Sequence, residues 1–171
     1  MSEQTWREVS DQVVPECVKA LLEVYELAVD AAGEPVPDRE SSTIVASIGF
    51  ASAQASGTLT LALAPRVALA TGASESAVRD WSGELANQAL GRVKNRLLRY
   101  GVELQMATPV VISGERLTVH PTNGERSTFR FSTSAGRVDT YVSARIDPDF
   151  VWVLGEDEGG EIAPEGDLLM F

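Results

Sequence analysis

The chain has 171 residues, 44% of them hydrophobic, which is enough for one domain with a full core and short for two. Its 25 acidic side chains against 14 Lys and Arg leave a formal net charge of -11, which repels nucleic-acid phosphates and argues against such a partner. No apolar run approaches membrane-spanning length, the polar opening "MSEQTWREVSD" does not read as a secretory signal, and the single Cys17 permits no internal disulfide, so a cytoplasmic setting is expected.

Thr5 and Glu8 match a capping box that starts a helix. Val14, Cys17, Val18, Leu21, Leu22, Tyr25 and Ala28 then recur at helical spacing, predicting a helix that runs down to Gly33. Cys17 falls on that apolar stripe and is expected to be packed rather than reactive. Pro15 should kink this helix or restart it as a first-turn residue. "GEPVPDRESS" is a loop by composition.

"TIVASIGF" and "GTLTLALA" read as two strands joined by "ASAQAS", and "PRVALATG" as a short helix stopped by Gly72. Ser74 or Ser76 is expected to cap a long helix ending near Gly101. "TPVVIS", "RLTVH", "TFRFSTS" and "VDTYVSARI" follow, with turns at Asn123 and Gly124 and at Ala135 and Gly136, as an antiparallel meander. "FVWVLG" reads as a last strand or strand-like segment. The expected fold is α+β, with two long helices on one face of a largely antiparallel sheet. The domain is placed at residues 1–154. Residues 155–171, containing "EDEGGEIAPEGD", read as a mobile acidic tail whose spacing lacks a calcium loop's alternating ligands. Leu168, Leu169, Met170 and Phe171 either dock back on the domain or fray.

The second long helix has an unusual wet side. With Leu85 facing the core, Val78, Trp81, Ala86, Ala89, Val93 and Leu97 spread across one side, while Asp80, Glu84, Asn87 and Gly91 fall within a sector of about 60° opposite, with Lys94 beyond. Glu84 and Asn87, three apart, stand side by side. Asp80 and Glu84, four apart, repel mildly, and Gly91 costs on the order of 1 kcal/mol relative to alanine. Such local conflicts point weakly to function. By spacing alone an exposed Glu and Asn are ordinary solvated surface, and Gly83 and Gly91 equally suit close packing on a neighbour. Arg92, Lys94, Arg96 and Arg99 complement the helix dipole without any ligand.

The pattern Asp80-x-x-x-Glu84-x-x-Asn87 followed by Pro109 resembles the signature of the CheC/CheX/FliY chemotaxis phosphatases, with one residue fewer before the proline. The resemblance covers roughly residues 5–150 and lies closest to the single-site CheX type, because the first helix contains no asparagine and the duplication of CheC is missing. It implies dephosphorylation of a CheY-like response-regulator receiver domain at its phosphoaspartate. Asn87 would then position an in-line water, a task suited to a neutral carboxamide. Glu84 would pair with the receiver's active-site lysine. Asp80, Gln88, Gly91 and Lys94 would meet the partner, and Pro109 would shape the entry to the next strand. The resemblance implies no cofactor of the chain's own, Mg2+ held by the receiver, and a homodimer formed through sheet elements. The alternative is a receiver-docking or assembly module with the same fold and no catalysis.

Other chemistry finds little footing. His120 is the only histidine, so one chain cannot build a multi-histidine metal site, and it is expected to be an ordinary exposed side chain. No serine sits in a nucleophile elbow, and neither phosphate loop nor dinucleotide fingerprint is present.

Overall fold

The computed structural model describes residues 4–30, 42–120 and 124–155. Helix α1 (Trp6–Val24) begins at the capping box: Glu8 N–H donates to Thr5 Oγ1 at 3.3 Å, and Thr5 N–H donates to a Glu8 carboxylate oxygen at 2.7 Å. The Thr5 backbone hydrogen bond, then its hydroxyl, hold the Glu8 carboxyl below its ordinary range. The helix is continuous across Pro15, which neither restarts nor ends it.

It does not reach Gly33, however. Glu26 adopts a left-handed backbone, φ 58°. Its N–H donates to the Glu23 carbonyl at 2.9 Å, and Leu27 N–H reaches back to the Leu22 carbonyl at 3.0 Å. These two bonds form a Schellman ending, sealed by burial of both Leu22 and Leu27. Val29 and Asp30, expected to be helical, instead form strand β1 (Val29–Asp30), and Ala28 accepts a hydrogen bond from Ser134 N–H at 3.1 Å. The expected loop at 33–42 lies outside the described residues except for Ser42.

Strands β2 (Ser42–Ala51) and β3 (Ala55–Leu63) form a hairpin whose turn is tied by Ser52 Oγ, which accepts from the N–H groups of Gln54 and Ala55. Helix α2 (Pro65–Ala70) follows and stops before Gly72, φ 91°. Helix α3 (Val78–Leu97) is preceded by one 3-10 turn. Neither Ser74 nor Ser76 caps it: their hydroxyls bond each other at 3.1 Å, and the 3-10 turn takes up the helix entry. A second 3-10 turn leads to Gly101, left-handed at φ 71°.

Strands β4 (Gln105–Met106) and β5 (Val110–Glu115) both pair with β2, so the segment forms one edge interrupted just before Val110. "RLTVH" is not a strand. Arg116 turns at φ 53°, and the chain leaves the edge to cross the sheet's other face, where Leu117, Val119 and His120 line two clefts. Asn123 lies outside the described residues; Gly124, φ 78°, opens β6 (Glu125–Thr133). A two-residue turn at Ser134 and Ala135 joins it to β7 (Gly136–Ile146). "FVWVLG" is not a strand either, since only Trp152 bridges, to Gln4. It serves instead as an aromatic plug, with Trp152 buried against Trp6 at 5.2 Å and Phe150 at 5.0 Å between ring centroids.

The sheet order is β1-β6-β7-β3-β2-β4, with β5 also on β2, and every pairing is antiparallel. α1 lies against β6, α3 against β2 and β5, and the helices touch each other. Between them and the sheet, Leu21, Leu22, Ile48, Leu59, Leu61, Leu85, Leu90 and Leu97 are buried, as is Cys17. The opposite sheet face is polar: Asp139, itself buried, is gripped by Arg130 Nε at 2.9 Å and Arg137 Nε at 3.0 Å. Burial, then the Asp139 charge, pushes the neighbouring Tyr141 phenol above its ordinary range. The fold is α+β as expected. No described helix is long and apolar enough to cross a membrane.

Candidate functional site

Helix α3 has two distinct sides. Val78, Leu85, Ala86, Ala89, Leu90, Val93 and Leu97 are buried and anchor it, which fixes the rotation of everything between them. Asp80 and Glu84 are exposed; Asn87, Gln88, Gly91 and Lys94 are half-buried. The stripe therefore faces outward as a unit, although Asn87 and Gln88 sit deeper at its flank than an opposite-side placement suggests.

The two glycines separate. A Cβ on Gly83 would stand 3.1 Å from Val111 Cγ2 and 3.8 Å from Pro109 Cγ, so Gly83 lets the edge strand lie against the helix. A Cβ on Gly91 would meet nothing within 4 Å. Intramolecular packing accounts for Gly83 and leaves Gly91 without a packing reason.

Beside the acidic pair runs an open groove of about 560 Å³. Asp80, Gly83 and Glu84 form one wall, and Pro109 and Val111 the other. Arg79 Nη2 donates to the Val111 carbonyl at 2.9 Å and holds the walls together. Pro109 thus immediately precedes β5 and also borders the cleft next to Glu84.

The polar groups differ in how they are held. Gln88 Nε2 donates to Glu84 Oε1 at 2.9 Å, and the Tyr25 hydroxyl donates to Gln88 Oε1 at 3.3 Å. Tyr25 is in turn packed edge-on against Trp81, centroids 5.3 Å apart at 69°. No hydrogen bond to the Asn87 carboxamide occurs among the described residues. It can accept through its oxygen and donate through its nitrogen toward solvent or a partner, without bringing charge.

Tyr25 is the residue that sequence reading assigned only to the apolar stripe of α1. Its signal was the polar tip on an aromatic body at a helix end, a group that usually finds a partner when half-buried. Nothing local shows that its partner lies 63 residues away. His120 is exposed on the other sheet face, where it lines a separate cleft with Tyr141, remote in the fold from the α3 stripe. Among the described residues no group of three or more His, Cys, Asp or Glu is placed to hold a metal ion.

The fold has close counterparts among solved structures. The chemotaxis protein CheX from Vibrio vulnificus is 23% identical, with a TM-score of 0.68 over 83% of this chain and 100% of that one. A CheX from Desulfovibrio desulfuricans is 20% identical, with a TM-score of 0.66 over 81% and 99%. The CheX of a CheX-CheY-BeF3-Mg2+ complex from Borrelia burgdorferi is 16% identical, with a TM-score of 0.61 over 82% and 98%. At these identities the likeness establishes the fold. No curated protein sequence matches the chain. The family described as chemotaxis phosphatase CheX matches residues 44–132, from near the start of β2 through the α3 stripe to the end of β6. Because that match takes in just over half of the sequence, the chain belongs to the chemotaxis phosphatase CheX family.

Proposed function

We propose that this chain hydrolyses the phosphoaspartate of a CheY-like receiver domain, with Asn87 orienting the attacking water and Glu84 docking against the receiver's active-site lysine. One observation carries the reading. Glu84 and Asn87 stand adjacent on the outward stripe, the carboxamide unengaged among the described residues, with the bare surface of Gly91 one turn further on.

The chemistry suits those groups. An acyl phosphate already carries a good leaving group, and in-line attack needs an oriented water more than a strong base. A carboxamide supplies orientation while adding no negative charge near the phosphoryl oxygens. Glu84 supplies a carboxylate for a cation on the partner, worth most once docking excludes water. Asp80, Gly91 and Lys94 would form the surrounding contact surface, with Gln88 at its edge. The chain brings no cofactor of its own in this reading, and Mg2+ would arrive with the receiver. The CheX of Borrelia burgdorferi, whose complex contains CheY, BeF3 and Mg2+, supports such a partnership.

Residues 1–154 would constitute the phosphatase unit, with 155–171 an appended acidic tail; the bond from Gly155 N–H to the Arg99 carbonyl at 2.8 Å supports a unit that extends about this far. The exposed Val110 and Ile112 on edge strand β5 support a homodimer. A cytoplasmic location completes the proposal, since receiver domains act there.

The deciding measurement is the lifetime of phosphate on a labelled receiver domain with and without the chain. The parent should shorten it, and Asn87→Ala should lose at least 100-fold of the acceleration, about 2.7 kcal/mol of transition-state stabilisation, while retaining the parental circular dichroism. Stable binding of the receiver with an unchanged lifetime would make the chain a docking module instead.

A further inference from the structure

We propose that Tyr25 and Gln88 form a positioning relay that sets the direction in which the Glu84 carboxylate meets its partner, an inference that rests on the receiver-phosphatase reading. The contacts run Tyr25 Oη–H to Gln88 Oε1 at 3.3 Å, then Gln88 Nε2–H to Glu84 Oε1 at 2.9 Å. Their polarity is forced. An ionised carboxylate only accepts, so the amide must turn its NH2 toward Glu84, which leaves its oxygen toward the phenol, and the phenol must donate. A flipped amide would set oxygen against oxygen at Glu84.

Each link is anchored outside the site. Tyr25 is the C-cap of α1, where the left-handed Glu26 and the buried Leu27 end the helix, and its ring is edge-on against Trp81. Gln88 is one turn beyond Glu84 on α3, between the buried Leu85 and Ala89. Two helices distant in sequence thus converge on one carboxylate. With Oε1 committed to Gln88, Oε2 is the oxygen presented outward. A long, exposed glutamate has considerable rotamer freedom to lose on docking, and the relay removes part of that cost beforehand. Gln88 in this account works within the chain, and Tyr25 acts only through it.

Two variants and two readouts test the relay in the full-length chain. Tyr25→Phe keeps the ring on Trp81 and removes the hydroxyl; it should raise KM for the phosphorylated receiver about threefold, one modest hydrogen bond, with kcat little changed. Gln88→Glu places a second carboxylate against Glu84, so KM should rise about tenfold at pH 8. The variant-to-parent ratio of kcat/KM should then recover as pH falls toward 6, because a proton shared by the pair restores a donor. A merely structural role gives no such recovery. In parallel, the Gln88 side-chain NH2 resonances of the isolated chain should shift in Tyr25→Phe and in Glu84→Ala. An active parent whose two variants keep the parental KM and pH profile overturns the relay. An inactive parent instead overturns the phosphatase reading, and the amide resonances then decide the relay alone: unmoved resonances refute it.

Discussion

Gly91→Ala separates a glycine kept for packing from one kept for access. Alanine in a helix interior is favoured over glycine by about 1 kcal/mol. At position 91 nothing stands within 4 Å of the new methyl group, so no steric penalty offsets that gain. The variant should be more stable by about 1 kcal/mol, a rise in Tm of about 2–4 °C for a chain of this size. Gly83→Ala is the internal comparison: it has the same propensity gain, but its methyl lies 3.1 Å from Val111 Cγ2. Crowding there costs about 1–3 kcal/mol, so the net should be zero or a loss. Urea unfolding followed by tryptophan fluorescence measures both. On the proposed function, the same Gly91→Ala chain should show a higher KM for a phosphorylated receiver despite its greater stability. Lower stability in Gly91→Ala, or Gly83→Ala stabilised to the same degree, would show that the packing account of these positions is wrong.

Three further outcomes follow from the fold. Glu26→Gly should stabilise the chain by about 0.5–1 kcal/mol in urea unfolding, because the left-handed cost of a side chain exceeds glycine's added entropy. Leu90→Ala, at a fully buried α3 position, should cost about 2–5 kcal/mol, whereas the exposed Val24→Ala should stay within about 0.5 kcal/mol, both by the same assay. The Glu8 carboxyl has a lowered folded-state pKa, so its contribution is present above the unfolded value of about 4.3 and lost as pH falls through the folded one. The stability gap between parent and Glu8→Ala should accordingly be open at pH 7 and close as the pH is taken below about 4.

What could be read in advance depended on whether the cause was local. The capping box of Thr5 and Glu8, the Gly72 and Gly101 stops and a tight β6–β7 turn are set by neighbours within a few residues, and all appear, the turn one residue earlier than expected, at Ser134 and Ala135. The end of α1 was misplaced because Glu26 takes a conformation that glutamate disfavours, held by burial of Leu22 and Leu27. "RLTVH" and "FVWVLG" carry strand composition, yet they find no long partner: one crosses a sheet face and the other fills an aromatic corner. Ser74 and Ser76 have the chemistry of caps, but Ser74 precedes a 3-10 turn and Ser76 lies within it. At the site, helical periodicity alone was enough to group Asp80, Glu84, Asn87 and Gly91. It could not distinguish Gly83 from Gly91, which takes knowing where Val111 lies, nor link Tyr25 to Gln88.

Because α3 seats its leucines inside while carrying its polar stripe outside, its angular phase is shared property. One residue inserted between Ala86 and Leu90 would rotate every later side chain by about 100°, swinging Leu90, Val93 and Leu97 out of their seats while Glu84 stayed put. Point changes can therefore drift along this helix, whereas changes in its length cannot, and insertions among descendants of this chain should gather in the connections instead.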